Sequence, residues 1–241
     1  MIKISHLTKI YGKNKVVCDL SLTIKTGQVF GFLGPNGAGK TTAMKMIVGL
    51  SRPDRGGVKI GGKDPRAIKT RETIGFMPED PYFYDHLSGL EFLMFCGQLF
   101  LNTRNKNKGY YSNILQNVGI YEARNKMLKT YSKGMKQRLG VAQAIVNNPD
   151  YVFLDEPLDG LDPIGRREIK KIILNLKKQK KTVFFNSHIL ADVEEICDQI
   201  GIIDHGKLIY TGSIAKFRGK KSLEEAFVEV IERQSLDLAR R

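Results

Sequence analysis

The first thirty residues alternate between apolar and polar positions. Leu20, Leu22 and Ile24, for example, are separated by single polar residues. Successive side chains of a β-strand point to opposite faces of its sheet, so this alternation is typical of half-buried strands. The stretch from roughly 52 to 77 is punctuated by glycine turns between short apolar segments. We predict that residues 2–30 and roughly 52–77 are rich in β-structure.

The apolar spacing becomes helical from about residue 86 to 148. Two stripes carry this signal, one made of Leu90, Leu93, Met94 and Leu101 and the other of Ile114, Leu115 and Val118. Intervals of three and four residues place such side chains on one face of a helix. Residues 102–108, between the stripes, are polar and basic, and we expect an exposed connection there.

Two continuous apolar runs, residues 151–154 and 182–185, follow the helical segment. Such runs are typical of strands that are buried on both faces. Between them, Asp162 is a predicted N-cap and Pro163 the first residue of a helix. A strand, a helix and a second strand in this order indicate a parallel sheet. The fold class predicted is therefore α/β.

Composition limits the classes of protein to which this chain can belong. The chain has 241 residues, is 41% hydrophobic and has a formal net charge of +14. No apolar run approaches the ~18 residues that span a bilayer, and the start lacks a signal-peptide pattern, so we expect a cytosolic protein. The three cysteines lie far apart, so neither a disulfide nor a zinc scaffold is expected. Aromatic residues do not alternate with the basic ones as in a base-stacking platform. We expect a solvated basic surface, with attraction to an anionic inner leaflet as the alternative.

The strongest chemical signal is residues 34–41, which fit the pattern G-x-x-x-x-G-K-[ST] between an apolar run at 29–33 and a helical pattern. Glycines let backbone N–H groups point at phosphate oxygens, Lys40 reaches the β- and γ-phosphates, and the Thr41 hydroxyl ligates Mg²⁺. The order of strand, loop and helix argues against a glycine-rich turn with a chance lysine. The predicted nucleotide-binding residues are Asn36, Gly37, Ala38, Gly39, Lys40, Thr41 and Thr42.

A second phosphate-site element is the apolar strand that ends in Asp155 and Glu156. Parallel strands end at one edge of their sheet, so both carboxylates are expected near the phosphate loop. Asp155 is predicted to hold Mg²⁺, directly or through water, and Glu156 to polarise the attacking water. Taken alone, the pattern also fits a strand that runs into a solvated acidic turn. The upstream phosphate loop favours the catalytic interpretation.

Two further segments make the sequence resemble a known family. They are residues 131–139, before the acidic strand, and residues 185–188, after the next apolar run. Together with the phosphate loop, in this order, they resemble the ATP-binding cassette of ABC transporters over essentially the whole chain. The family signature is Leu-Ser-Gly-Gly-Gln. Ser132 and Gly134 match it, whereas its first, third and fifth residues differ here.

The resemblance implies roles for other residues. Tyr11 stands where the family places an aromatic that stacks on adenine, and His188 resembles its switch histidine. Ser132 and Gly134 are expected to contact ATP, and residues 158–162 look like the family's D-loop. Each has a plainer explanation, namely a half-buried strand aromatic, a strand-end histidine and a helix cap. Their occurrence in family order favours the functional roles.

Glu79 is the clearest departure from the family pattern, because the family usually has Gln there. A glutamine offers a neutral oxygen to Mg²⁺ and water, whereas a glutamate adds a charge. We interpret Glu79 as a third residue of the metal site, with Thr41 and Asp155. Cassettes with a glutamate there and with similar signatures occur among export-type members, so export is expected rather than import, by analogy alone.

The resemblance implies one ABC ATPase domain over residues 1–241. Its fold would be a P-loop NTPase core with a mostly parallel sheet, an N-terminal antiparallel β subdomain and a helical subdomain at about 80–148. The cofactors would be ATP and Mg²⁺, and Glu156, His188 and Lys40 the catalytic residues. Each ATP would lie between the P-loop of one cassette and the signature of a second, in a homodimer or with a related subunit.

A separate multi-spanning membrane subunit would turn the motion of the cassettes into transport, so the chain would be cytoplasmic and peripheral on the inner face of the membrane. We expect Phe83 and Tyr84 to be surface residues that contact this subunit; the alternative is that these aromatics belong to the core. No nucleic-acid partner is expected.

Two other functions are alternatives. The first is an ABC-type ATPase in DNA repair or translation. Repair members insert a long coiled coil between P-loop and signature, but only 92 positions separate Lys40 from Ser132. Translation members usually carry two cassettes, and this sequence has one. The second is a non-catalytic nucleotide sensor, which Glu156 argues against.

Overall fold

The computed structural model describes residues 1–239 of the chain. Over this range the strands are β1 (Ile2–Tyr11), β2 (Asn14–Ile24), β3 (Val29–Leu33), β4 (Arg55–Ile60), β5 (Ile74–Met77), β6 (Tyr151–Asp155), β7 (Thr182–Ser187), β8 (Gln199–Asp204) and β9 (Lys207–Gly212). The α-helices are α1 (Lys40–Ile47), α2 (Ile68–Arg71), α3 (Gly89–Gln98), α4 (Lys108–Asn117), α5 (Lys133–Ile145), α6 (Pro163–Lys178), α7 (Leu190–Ile196), α8 (Ile214–Arg218) and α9 (Leu223–Ala239).

The N-terminal strands form an antiparallel sheet in the order β2-β1-β4. Its register pairs Ile4 of β1 with Leu22 of β2 and with Val58 of β4. All three side chains are buried, so the alternate positions of these strands form one apolar face that packs on the core. The predicted antiparallel β region is confirmed.

A second sheet has the strand order β5-β6-β7-β3-β8-β9. Its neighbours are parallel except for the antiparallel pair β8 and β9. Strand β7 lies between β6 and β3, so the carboxyl ends of these three strands are adjacent. The mostly parallel core sheet is therefore confirmed, and its carboxyl edge collects the segments that the sequence marks as chemical.

The central strands are apolar throughout because the two faces of the sheet pack against different elements. Val183 and Phe185 of β7 belong to a core shared with helices α3 to α7. Phe184, between them, belongs to a core shared with α1 and the antiparallel sheet. A strand covered on both faces has no solvent side, so its sequence loses the apolar–polar alternation.

The helical pattern at 86–148 is confirmed by α3, α4 and α5. Leu93, Leu115 and Leu139, one from each helix, are fully buried in the same core. Helix α3 begins with a capping box, in which Ser88 and Glu91 each accept the other's backbone N–H. The connection at 102–108 is exposed except for Thr103. The domain extent of 1–241, with a helical subdomain at about 80–148, stays a prediction.

The stretch 52–77 contains the strands β4 and β5, as expected, and also the short helix α2; β4 joins the N-terminal sheet and β5 the core sheet. The expectation for Leu101 was wrong. Leu101 is 66% exposed. Helix α3 ends at Gln98, so the helical period stops before it can place Leu101 on the apolar face.

Phe83 follows the alternative, a core position, whereas Tyr84 is at the surface as expected; the contact of Tyr84 with a membrane subunit stays a prediction. Phe83 is buried, and its ring packs edge-on against Phe92 at a centroid distance of 5.1 Å. Tyr84 is exposed to 44%. The two residues are adjacent in sequence, yet only one of the two rings is buried. The path of the loop before α3 decides which ring points inwards, and an aromatic residue type alone does not specify that path.

Helix α6 shows how the chain distributes its basic residues. Asp162 caps the helix, since its Oδ1 accepts the N–H of Gly165 at 2.7 Å. Ile169 and Ile173 are buried, whereas Lys171 and Lys178 are exposed. Lys171 and Lys178 therefore lie on its solvent face, as expected, whereas the Lys170 side chain is only 14% exposed and pairs with Asp192. None of the helices described between residues 1 and 239 is long and apolar enough to cross a membrane.

Candidate functional site

The loop between β3 and α1 fits its surroundings only because glycines occupy two of its positions. A Cβ on Gly34 would lie 2.2 Å from the carbonyl oxygen of Ile203 in β8. A Cβ on Gly39 would lie 2.5 Å from the carbonyl oxygen of Val16, and the φ of Gly39 is +103°. Both contacts exclude any side chain. The loop is therefore held between the core sheet and the antiparallel sheet.

Helix α1 opens directly from this loop, with Gly39 as its N-cap and no side chain satisfying its first N–H groups. The first N–H groups of a helix carry a partial positive charge and favour anions. Lys40 is buried, and its Nζ donates to the carbonyl oxygens of Gly34 at 2.8 Å and of Pro35 at 3.2 Å. Positive charge is thus concentrated at one turn of the backbone, which suits a phosphate group.

Asp155, at the end of β6, faces this turn. Its Oδ1 accepts hydrogen bonds from Thr41 Oγ1 at 3.3 Å and from Asn186 Nδ2 at 2.7 Å. Asp155 Oδ2 and Asn186 Oδ1 are buried and have no hydrogen-bond partner among the described residues. Burial raises the pKa of Asp155, and the hydrogen bonds from Asn186 and Thr41 lower it in part. Orphaned buried oxygens beside a hydroxyl are suitable ligands for a hard cation such as Mg²⁺.

Glu156 follows Asp155 and has a backbone φ of +49°, in the left-handed region that residues with a side chain rarely adopt. Its Oε1 lies 3.8 Å from Lys40 Nζ, and its Oε2 lies 2.9 Å from Nδ1 of His188. Burial raises the pKa of the Glu156 carboxyl, although His188 and Lys40 act in the opposite direction. The carboxylate is therefore held between a lysine and a histidine.

Lys40, Thr41 and Glu156 line one cleft of about 310 Å³. Its lining consists of Val16, Asn36, Gly37, Gly39, Lys40, Thr41, Thr42, Glu79 and Glu156. Glu79, which the sequence places in the metal site, lies at this cleft together with the phosphate loop. Ala38 is buried beneath the loop, and its N–H donates to the carbonyl oxygen of Pro35. Within residues 1–239, no group of three or more His, Cys, Asp or Glu side chains is placed to hold a metal ion.

Six predicted site residues are not among those that line the cleft. Ala38 is buried beneath the loop, and Asp155 and His188 contact the lining residues Thr41 and Glu156. The other three are Ser132, Gly134 and Tyr11. Ser132 is exposed at the start of α5, where its Oγ accepts the N–H of Met135 at 3.2 Å. Gly134 lies in the first turn of the same helix. Tyr11 is 53% exposed, with Lys9 Nζ 5.2 Å from its ring centroid. One chain therefore does not bring the signature residues to its own phosphate loop.

Three residues with contacts at the site were not predicted from the sequence. Asn186 donates to Asp155, Val16 lines the cleft, and the Nε2 of Gln137 donates to the backbone carbonyl of Glu156 at 3.1 Å. A polar residue inside a run of buried strand positions was a usable signal for Asn186. Val16 and Gln137 carry no local signal, since their positions depend on how distant elements pack.

The strand order, the loop and the paired carboxylates define a nucleotide-binding protein of the phosphate-loop class. The family model described as "ABC transporter" matches residues 17–159. An uncharacterised ABC transporter ATP-binding protein of Synechocystis is 45% identical over 219 residues, which cover 90% of this chain and 62% of that protein. The bacitracin transport ATP-binding protein BcrA of Bacillus licheniformis is 41% identical over 214 residues, which cover 87% of this chain and 68% of that protein.

The fold also matches a solved structure, the dimeric post-hydrolysis state of the ATP-binding cassette MJ0796 bound to ADP and Pi. The TM-score is 0.82 at 22% identity, over 89% of this chain and 99% of that chain. The chain belongs to the ABC transporter family, within its ATP-binding cassettes, and the predicted family and fold are confirmed. The chain spans 62% of the length of the Synechocystis relative.

Proposed function

We propose that the chain is the ATP-hydrolysing subunit of a transporter whose translocation pathway lies in a separate membrane subunit. The observation that carries this proposal is the position of Glu156, between Lys40 and His188 at the edge of the phosphate-loop cleft. A sensor that only binds nucleotide has no need for a buried carboxylate there. The family match to transport ATP-binding proteins favours transport over DNA repair or translation.

ATP binding is assigned to the phosphate loop. The N–H groups of residues 36–42 and the Lys40 ammonium bind the phosphates, and Tyr11 stacks on the adenine from the antiparallel sheet. Support comes from the uncapped start of α1 and from the exposure of Tyr11. Lys40 is already held across the loop by two carbonyl oxygens, so little side-chain entropy is lost when it contacts phosphate.

Mg²⁺ would be held by Thr41, Asp155 and Glu79, with the phosphates and water completing its ligands. The oxygens of Thr41 and Asp155 lie together, and the orphaned Asp155 Oδ2 gives the ion a partner that the protein otherwise lacks. Bound Mg²⁺ supplies positive charge that offsets the negative charge developing on the phosphates. The hydrogen bond from Asn186 Nδ2 holds the Asp155 carboxylate, so it does not need to reorient when the ion binds.

Hydrolysis is assigned to Glu156. Its carboxylate accepts a hydrogen bond from the attacking water and orients it towards the γ-phosphate, while His188 fixes the carboxylate through its Nδ1. The opposite ring nitrogen of His188 is then available to face the phosphate. Desolvation of Glu156, which raises its pKa, makes it a better proton acceptor than an exposed carboxylate.

A second cassette is the proposed partner at the nucleotide. Ser132 and Gly134 are outside the cleft of their own chain, yet Ser132 begins a helix of 13 residues whose positive end is exposed. In a head-to-tail pair, that helix end would approach the γ-phosphate bound by the other chain. MJ0796, whose fold is similar, was solved as a dimer with ADP and Pi.

A membrane subunit is proposed as the partner at an apolar groove between the core sheet and α3. The residues that give this groove its apolar character are Val48, Leu50, Ile74, Phe76, Leu99 and Phe100, and we call this set the partner groove. Leu50 and Leu99 are 65% and 69% exposed. An apolar helix face from a cytoplasmic loop would bury them. The chain would then be peripheral on the inner membrane face, and the proposed direction of transport is export.

Phosphate release by the purified chain tests the proposal. We expect Mg²⁺-dependent release from ATP that is lost in EDTA and in Lys40→Ala. Activity that requires DNA or RNA, with binding that weakens steeply as salt rises, would favour the repair or translation alternative. ATP binding without any turnover, alone or with the membrane subunit, would overturn the assignment of Glu156 and support a sensor.

A further inference from the structure

The backbone carbonyl of Glu156 is a junction between two parts of the chain. It accepts a hydrogen bond from the side-chain Nε2 of Gln137 at 3.1 Å and from the backbone N–H of Asp159 at 3.2 Å. The second bond closes a turn from Glu156 to Asp159. The first comes from α5, the helix that begins at Ser132. One carbonyl thus joins the signature helix to the turn after the acidic strand.

Gln137 is a buried side chain with a specific hydrogen bond, not a surface residue. It is 6% exposed, on a helix face that also buries Gly140, Val141 and Ala144. A buried amide without a partner destabilises a protein, so the hydrogen bond to the carbonyl of Glu156 is what makes Gln137 tolerable there. An apolar residue of similar volume would satisfy the packing equally well. Packing alone therefore does not explain a glutamine at this position.

The backbone of Glu156 needs an external support. At φ +49° it occupies a conformation that costs a residue with a side chain free energy. Surrounding contacts must hold such a residue in place, and the two hydrogen bonds to its carbonyl are contacts of this kind. Rotation of this peptide unit would swing the carboxylate away from Lys40 and His188.

We propose that Gln137 is a positioning residue for Glu156. This inference rests on the proposed function. The amide of Gln137 fixes the peptide unit that follows Glu156 and so keeps the carboxylate oriented towards the water that attacks the γ-phosphate. Because Gln137 and Ser132 lie on one rigid helix, a shift of α5 when Ser132 contacts the nucleotide of the second cassette reaches Glu156 through this hydrogen bond. The signature of one site thereby adjusts the catalytic carboxylate of the other.

The first test is Gln137→Leu, which keeps the volume and removes the donor. We expect the turnover number to fall roughly tenfold, the size expected for one buried hydrogen bond used in catalysis. The ATP concentration at half-maximal rate should change by less than about twofold, because no group that touches ATP is altered. Should this variant not fold, Gln137→Met, which has a similar length and no hydrogen-bond donor, is predicted to show the same loss.

Tyr111→Phe is the matched control. Tyr111 is buried in α4, and its hydroxyl donates to the backbone carbonyl of Thr103 at 2.8 Å. The control removes the same kind of hydrogen bond, away from the cleft. We expect it to lower the unfolding midpoint as much as Gln137→Leu does and to leave turnover unchanged. Equal turnover in the two variants would show that Gln137 is only structural and would overturn the inference.

A double-mutant cycle gives the second test. If Gln137 acts through Glu156, Gln137→Leu should not lower the residual turnover of Glu156→Gln any further, because the group it positions has lost its function. A further tenfold loss in that background would overturn the inference. A wild-type chain that binds ATP but never hydrolyses it would instead overturn the proposed function, so the two failures are distinct.

Discussion

Lys40 and Glu156 form a buried ion pair across the nucleotide cleft. The Nζ of Lys40 lies 3.8 Å from Oε1 of Glu156, and each side chain is more than nine-tenths buried. Charges out of contact with water interact more strongly than surface charges do. Lys40, which is proposed to bind phosphate, is therefore also the ion-pair partner of Glu156, which is proposed to activate water. A nucleotide must compete with Glu156 for Lys40.

The competition leads to a prediction for Glu156→Gln. The substitution removes the negative charge that holds Lys40, so ATP affinity should rise a few-fold, while turnover should fall by at least about 100-fold with the water-activating group gone. Equilibrium binding and single-turnover phosphate release measure the two effects. Lys40→Ala is the contrasting variant and should lose nucleotide binding. Hydrolysis by Glu156→Gln at the wild-type rate would contradict the assignment.

Glu79 at the cleft predicts a steep dependence of ATP binding on Mg²⁺. Glu79, Asp155 and Glu156 bring carboxylates towards a polyanionic nucleotide, and a carboxylate is a harder ligand for Mg²⁺ than an amide. Without the ion they should repel ATP. We expect Glu79→Gln to relax the Mg²⁺ requirement, as measured by titrating ATP affinity against free Mg²⁺. Superimposable curves for the two forms would show that Glu79 does not face the metal.

Asp155 should lower the stability of the nucleotide-free chain. Burial raises its pKa above 3.8, so the folded chain binds this proton more tightly than the unfolded chain. The resulting stabilisation is present below pH 3.8 and is lost as the pH rises through the folded-state pKa. At neutral pH the buried charge with an orphaned oxygen is a net cost. We expect Asp155→Asn to raise the free energy of unfolding by about 1–2 kcal/mol and to flatten its pH dependence.

Denaturant unfolding at several pH values measures the Asp155→Asn effect. The same variant should lose Mg²⁺-dependent hydrolysis, since it removes a charged metal ligand. A less stable Asp155→Asn at pH 7 would mean that the hydrogen bonds from Thr41 and Asn186 outweigh the cost of burial.

The partner groove predicts which exposed apolar residues bind the membrane subunit. Leu99→Ser should reduce co-purification with that subunit and leave the ATPase activity of the free chain unchanged, because Leu99 is 69% exposed and distant in sequence from the cleft residues. Val228→Ser, at an exposed apolar position of α9, is the control and should have no effect. Phe83→Ala, in contrast, should lower stability by about 3–5 kcal/mol because it empties a core position. Equal co-purification of the Leu99 and Val228 variants would move the partner elsewhere.

Cysteine reactivity offers an independent check on the core. Cys96 is buried in α3, and burial raises the pKa of its thiol to about 12. The thiolate is the reactive form, so Cys96 should resist iodoacetamide between pH 7 and 9, whereas Cys18, which is partly exposed, should be alkylated. Peptide mass spectrometry of native and unfolded protein measures this. If Cys96 in the native chain were alkylated as fast as Cys18, its thiol would be accessible to the reagent and α3 would not be tightly packed.

The sequence predicted features whose causes are local. The phosphate loop is a run of eight residues, so its glycines and lysine are visible without knowledge of the fold. The same holds for the caps at Ser132 and Asp162 and for the apolar run that leads to Asp155. Resemblance in motif order then indicated the family correctly. The direction of the Phe83 ring and the helix within 52–77 were missed, because loop path and packing decide them.

The tertiary structure decided which distant residues meet. Lys40, Glu156 and His188 are far apart in the chain, and they converge because β7 lies between β3 and β6. The contact of Gln137 with Glu156 depends in addition on how α5 packs against β6. By itself the sequence determined the loop, the caps and the strand ends, since these need only neighbours in the chain. Strand order and helix packing are set by burial of apolar surface over the whole fold. For this reason only the tertiary structure decided where the carboxylate of Glu156 lies.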